Sequence, residues 1–242
     1  MKKYFWNLHD RTVQRAHNYS YLRIKQALDK GGNCLDCGAK DGWQYEQLKD
    51  FMGLERGRYV GIDWSNDSIK EAHKKGIPVI QGDLNKRLPF EDNSFQCVFA
   101  LSTLEHLLKG CYWINEAKRI LNNNGVLVIM TPNISTWMTV VLLILGRMPS
   151  SGPHPDSEWL KGDEVALIPK PNSEPKVESD TPSHRHLVVF SYRALKRYLL
   201  HCGFSNVQGR TFGLYPFPNF MQPLLEKIDP WHCHQMVFTA VK

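Results

Sequence analysis

No stretch of this chain is apolar for long enough to cross a bilayer. The most apolar run, Val140–Leu145 inside Thr136–Met148, falls well short of the roughly 20 residues that a spanning helix requires. The opening M-K-K-Y-F-W-N has two lysines but no apolar run behind them, so no secretory leader is expected. Charge of one sign is also lacking. The formal net charge of +6 over 242 residues is modest and gives no whole-chain pull toward polyanions. A second C-x-x-C is missing: Cys34-Leu-Asp-Cys37 stands alone, far from His232-Cys233-His234. The odd spacing of Cys34 and Cys37 sends them to opposite faces of a strand. They read as small residues filling a core, and no metal is expected from them. Six cysteines without a secretion signal fit free thiols in a reducing, cytoplasmic setting. Internal repeats are absent too, which excludes a solenoid.

What is present begins at Asn33–Gly42, N-C-L-D-C-G-A-K-D-G. A short apolar strand ends in Asp36, turns through Gly38 and Gly42, and opens a helix from Trp43. Glycine permits positive φ and a close ligand approach, and a helix N-terminus offers free N–H groups. This is the pattern of a nucleotide site. With 42% hydrophobic residues the chain can bury one full core, so residues 1–242 are expected to form one domain. A basic helix over residues 10–29 precedes the turn. Strands are expected at 58–63, 78–80, 95–101 and 126–130, with helices over 67–75 and 112–121 between them. Asn122-Asn-Asn-Gly125 reads as a turn. The alternation argues a doubly wound α/β sheet, which gathers Asp36, Asp63, Asp83 and Ser102 at one edge. An acid ending the second strand, here Asp63, lies beside the first glycine turn and can accept both ribose hydroxyls.

The rhythm breaks after residue 133. A helix is expected over Trp137–Met148. Residues 149–183 carry seven acids against three lysines and half of the prolines, which reads as a lid. Leu187–Phe190 reads as a strand-like run, Tyr192–His201 as a helix capped by Ser191, and 205–211 and 235–241 as closing strands.

The order of L-D-C-G-A-K-D-G (35–42), G-I-D-W-S (61–65), Q-G-D-L (81–84), L-E-H-L (104–107) and L-N-N-N-G-V-L-V-I-M-T-P-N (121–133) resembles the class I S-adenosylmethionine-dependent methyltransferases, in their small-molecule branch. The resemblance implies a Rossmann-like methyltransferase sheet, mostly parallel with an antiparallel closing strand and helices on both faces. Residues 1–32 would be an N-terminal helical segment and 134–186 a lid or substrate insertion. It implies S-adenosyl-L-methionine as cofactor, with Asp36, Gly38 and Gly42 around its methionine part. Asp63 would hold the ribose, Trp64 would lie beside the adenine, and Asp83 and the Leu84 N–H would reach the adenine edge. Ser102 would line the methyl-donor end, and His106 is the candidate catalytic base.

Some quinone-biosynthesis relatives carry a metal-binding E-x-x-E-H in this region. Ser102 replaces the first acid, so no metal is expected. The alternatives are a non-catalytic S-adenosylmethionine-binding protein and an NAD(P)-binding Rossmann protein. The latter wants G-x-G-x-x-G, and the third glycine is missing. A nucleic-acid substrate is not expected, because A-L-S-T-L-E stands where an N-P-P-Y-like motif would follow strand four. The acceptor is expected to be a small or lipid-linked metabolite, methylated on a hydroxyl, amine or carboxyl. The apolar stretch 137–148 is either a lid helix or a peripheral membrane contact.

Overall fold

A computed structural model describes residues 2–149 and 186–242. The acidic, proline-rich stretch read as a lid lies almost wholly outside them. The first helix, α1 (Lys2–Leu28), starts earlier than residue 10. Its buried stripe runs Leu8, Thr12, Ala16, Ser20, Ile24, Leu28, one residue in four, each 3% exposed or less. Two of these are small and polar, and Ser20 Oγ donates to the Ala16 carbonyl at 2.9 Å. This lets the helix lie close on the sheet, and the buried face is part polar rather than an apolar-only stripe.

The remaining elements are β1 (Cys34–Cys37), α2 (Trp43–Met52), β2 (Tyr59–Asp63), α3 (Asn66–Lys74), β3 (Val79–Gln81), β4 (Phe95–Leu101), α4 (Gly110–Ile120), β5 (Leu121–Pro132), α5 (Trp137–Ile144), α6 (Tyr192–His201), β6 (Ser205–Phe212), α7 (Gln222–Ile228) and β7 (Gln235–Val241). The strands form one sheet in the order β3-β2-β1-β4-β5-β7-β6. Neighbours from β3 to β5 run parallel. β7 is antiparallel to both β5 and β6.

β4 shows why the sheet needs helices on both faces. Its residues alternate between two cores. Val98 and Ala100 join Trp113, Ile114, Leu195 and Leu199 on one face. Cys97, Phe99 and Leu101 join Ala16, Ile24, Tyr45, Leu48 and Ile69 on the other. A strand buried on both sides is apolar throughout, as β4 is. Cys37 and Cys34 fall into opposite cores as their spacing requires.

Three expectations change. Asn122–Gly125 is not a separate turn but an irregularity inside β5: Leu121 pairs with Phe95 and Val126 with Cys97. Asn124 takes φ 64° there, so the strand loops out and resumes. The helix expected to reach Met148 stops at Ile144, and Gly146 turns the chain at φ 70°. Leu187–Phe190 forms no strand. Its backbone goes to single partners instead, with Leu187 N and Val188 N donating to the Glu105 carbonyl at 2.7 and 3.3 Å, and the Phe190 carbonyl accepting from Ile134 N.

Candidate functional site

β1, β2, β4 and β5 end together at one edge of the sheet, and the predicted residues collect there. β1 runs into the glycine turn. Gly38 N and Ala39 N both donate to the Ile62 carbonyl, at 2.9 and 3.2 Å, which ties the turn to β2. Gly38 has φ 88°, and a Cβ on it would sit 2.5 Å from Thr103 Oγ1. Glycine is therefore required twice, by its dihedral and by the chain end of β4 pressed against it. Gly42 has φ 82° at the start of α2, and its missing Cβ leaves room for Ile77. Its position shapes the turn from behind.

Asp63 is 6% exposed. Its Oδ2 accepts from Lys40 N and its Oδ1 from Ser65 N, both at 2.9 Å. Two backbone donors thus aim the carboxylate, and each oxygen keeps a lone pair for a further donor. Trp64 follows it, 49% exposed. Asp83 Oδ1 accepts from Asn85 N and Nδ2, at 2.9 and 3.1 Å. Partial burial pushes this carboxyl up, but the Asn85 hydrogen bonds and Lys86 outweigh it and leave Asp83 below its ordinary value. The Leu84 side chain turns into the core at 6% exposure.

Asp36 differs from its expected role at the ligand surface. It is 1% exposed and accepts a 2.7 Å hydrogen bond from the Tyr59 hydroxyl. Burial raises it to about 7, against the pull of Tyr59, with Asp63 raising it further and Lys40 lowering it. It stands beneath the glycine turn rather than on it.

Ser102 ends β4 with φ 55°, a left-handed conformation that costs a non-glycine residue about 1–3 kcal/mol. Ser102 N donates to the Met130 carbonyl at 2.8 Å and holds it. The kink swings the chain into a 3-10 turn, Leu104–His106, not the start of a longer helix. Glu105, 2% exposed, accepts from Thr131 Oγ1 at 2.9 Å. Burial raises its carboxyl to about 7. The His106 ring lies edge-on to His186, with centroids 5.4 Å apart.

Several contributors have no linear signal. Lys40 supplies the backbone donor to Asp63 while its charge lowers both Asp36 and Glu105. At the start of β7, His234 lies 5.3 Å from the His9 ring and 5.2 Å from Tyr215. Burial lowers His234 to about 3, with His9 and His186 adding to it. Among the described residues Gln235 Oε1 is buried without a hydrogen-bond partner, and Tyr215 Oη and Thr12 Oγ1 are buried facing each other. Such atoms are expensive to leave unpaired, so this end of the site fits a polar ligand group. A shallow hollow lined by Arg56, His73, Gly76 and Pro78 lies before β2 and β3, at the opposite edge, and gathers none of these groups.

Residues 35–129 match the family model described as a methyltransferase domain. A probable S-adenosylmethionine-dependent methyltransferase of Mycolicibacterium smegmatis is 25% identical over 125 residues, 51% of this chain and 46% of that protein. A demethylmenaquinone methyltransferase of Staphylococcus epidermidis is 28% identical over 169 residues, 62% of this chain and 65% of that protein. The chain thus spans less than two thirds of the length of these curated relatives. A solved S-adenosylmethionine-dependent methyltransferase from Thermotoga maritima shares the fold over 98% of this chain and 99% of its own, with a TM-score of 0.53 and 17% identity. The matched segment covers the glycine turn, Asp63, Asp83, Ser102 and His106, and the sheet order continues through the antiparallel β7. Residues 35–129 thus match a methyltransferase domain, set in a sheet that shares its fold with a solved S-adenosylmethionine-dependent methyltransferase.

Proposed function

We propose that the protein transfers a methyl group from S-adenosyl-L-methionine to a small or lipid-linked acceptor. The observation that carries this is Asp63, a nearly buried carboxylate whose two oxygens are aimed by backbone N–H groups at the end of β2. It stands next to the glycine turn and the half-exposed Trp64. A ribose diol offers two donors for its remaining lone pairs, and Trp64 offers a face for a base. Asp83 and the Leu84 backbone serve the adenine edge. Gly38 lets the cofactor's methionine end lie close to the turn, with the buried Asp36 beneath it. Ser102 lines the methyl-donor end.

S-adenosylmethionine, when bound, supplies an already activated sulfonium methyl. The chain's task is to hold an acceptor in line and exclude water, which proximity can largely achieve. His106 acts on the acceptor, and the buried polar atoms of Tyr215, Gln235 and Thr12 orient it. A lipid-linked acceptor is supported by the demethylmenaquinone relative and by apolar side chains exposed on adjoining elements. Val141, Leu143 and Ile144 of α5 are 50–79% exposed, and Leu224 and Ile228 of α7 are 65% and 66% exposed. Trp137 Nε1 joins the two elements by donating to Asp229 Oδ2 at 2.9 Å. Peripheral membrane contact through 137–148 follows, and co-sedimentation with liposomes checks it. Among the described residues no helix is long and apolar enough to cross a membrane.

The experiment is a comparison of S-adenosylhomocysteine affinity between wild type and Asp63→Ala. Loss of hydrogen bonds to a charged acceptor is expected to weaken binding by about 1.5–3 kcal/mol. An unchanged affinity would reject the ribose role.

A further inference from the structure

The donor atoms of Glu105, His106 and His186 all lie within 4.8 Å of one another. We propose that these three side chains hold one divalent transition-metal ion on the acceptor side of the site. The linear pattern around Ser102 offers only two ligands, and the fold brings the third from eighty residues downstream.

The chemistry of the donors selects the class of ion. Two imidazoles and one carboxylate suit zinc, cobalt, manganese or iron, whereas calcium and magnesium favour all-oxygen shells. Three protein ligands leave a coordination position open, as in catalytic zinc sites. Tetrahedral coordination with bonds of about 2.1 Å places donors about 3.4 Å apart. With all three donors within 4.8 Å of one another, no pair exceeds that spacing by more than about 1.4 Å.

The surroundings hold them in place. The Glu105 carbonyl accepts from Leu187 N at 2.7 Å and from Val188 N at 3.3 Å, so one ligand's backbone pins the segment that carries another. Thr131 Oγ1 donates to Glu105 Oε2 at 2.9 Å. A partner of this kind behind a ligating carboxylate fixes its orientation. The His106 and His186 rings meet edge-on rather than stacked, with centroids 5.4 Å apart. A carboxylate only 2% exposed is costly unless a cation compensates it, and the ion supplies that charge. The site adjoins the glycine turn, since Thr103 fills the space beside Gly38.

The ion's task, though not its binding, rests on the function proposed above. At its open position it would bind the acceptor's oxygen or nitrogen and lower its pKa, so that the proton passes to a solvent base and the freed lone pair takes the methyl group from sulfur, leaving S-adenosylhomocysteine. His106 then acts on the acceptor as a ligand of the ion and is not itself the base.

The test uses the full chain, stripped with a chelator and titrated with Co²⁺, read by visible absorption and competed with Zn²⁺. One Co²⁺ per chain is expected. His186→Ala and Glu105→Gln should weaken binding by at least about tenfold, and Thr131→Val by about 10–100-fold through the outer shell. His201→Ala, on the exposed end of α6, should leave it unchanged. S-adenosylhomocysteine affinity on the same samples verifies the fold of each variant. It also separates the two ideas: cofactor binding without saturable Co²⁺ binding overturns the metal site alone. Co²⁺ binding that survives both His186→Ala and Glu105→Gln in folded protein overturns it as well.

Discussion

At the scale of single residues, buried ionisable groups pull stability in opposite directions as pH changes. Asp36 is raised to about 7, chiefly by burial, so the folded state favours its neutral form. That stabilisation is complete below the unfolded value of about 4 and is lost as pH rises through about 7. His17 is lowered to about 4 by burial, and its Nδ1 has no hydrogen-bond partner among the described residues. The folded state keeps it neutral, so its contribution is present above the unfolded value of about 6.5 and is lost as pH falls toward 4. The two slopes oppose each other between about pH 4 and 6.5. Asp36→Asn should leave the histidine slope less opposed and make the melting temperature fall more steeply from pH 7 to pH 5 than in wild type. His17→Gln should do the reverse. Each effect has a ceiling of about 1.4 kcal/mol per pH unit. Parallel melting curves for the three proteins across that range would remove both assignments.

At the scale of elements, α1 is tied to α7 by a bidentate clamp, beside the bonds of Tyr21 to Gln44 and of Arg23 to Gln208 and Thr239. Arg15 donates to both oxygens of Glu226 on α7, at 2.9 and 2.7 Å, and Glu226 Oε1 also accepts from Gly213 N at 2.8 Å. Glu226→Ala would strand a buried N–H and a guanidinium that is about a third exposed, so a loss of about 2–3 kcal/mol is expected. Glu226→Gln keeps an acceptor for Gly213 and should lose less. Urea denaturation of the two variants checks the order, and equal losses would show that the Gly213 bond contributes nothing.

The same elements show what can be read from a linear chain. β1, β2, β4 and β7 are legible because strands covered on both faces must be apolar. The kink in β5 is hidden because Asn122–Gly125 has ordinary turn chemistry, while only the pairing with β4 shows that the strand continues. Leu187–Phe190 looks like a strand, but two of its N–H groups are claimed by one carbonyl, of Glu105, which no periodicity reports. In the site, Asp63 and Gly38 are legible because strand ends and glycine turns have fixed places in a doubly wound sheet. The burial of Asp36 and the meeting of His106 with His186 are tertiary facts and leave no local trace.

At the scale of the whole molecule, the parallel strand order delivers the glycine turn, Asp63, Asp83 and Ser102 to one edge. The antiparallel β7 brings His234 and Gln235 beside the end of β5, where Gln235 pairs with Pro132. One half of the edge thus presents aimed acceptors and an aromatic face, and the other presents imidazoles and buried polar atoms. On the proposed function, the cofactor would take the first half and the methyl acceptor the second. The most direct measurement of that claim is a calorimetric titration of the purified protein with S-adenosylmethionine and S-adenosylhomocysteine. Saturable binding of both at one site per chain is expected. Absence of heat and of thermal stabilisation with either ligand would contradict it.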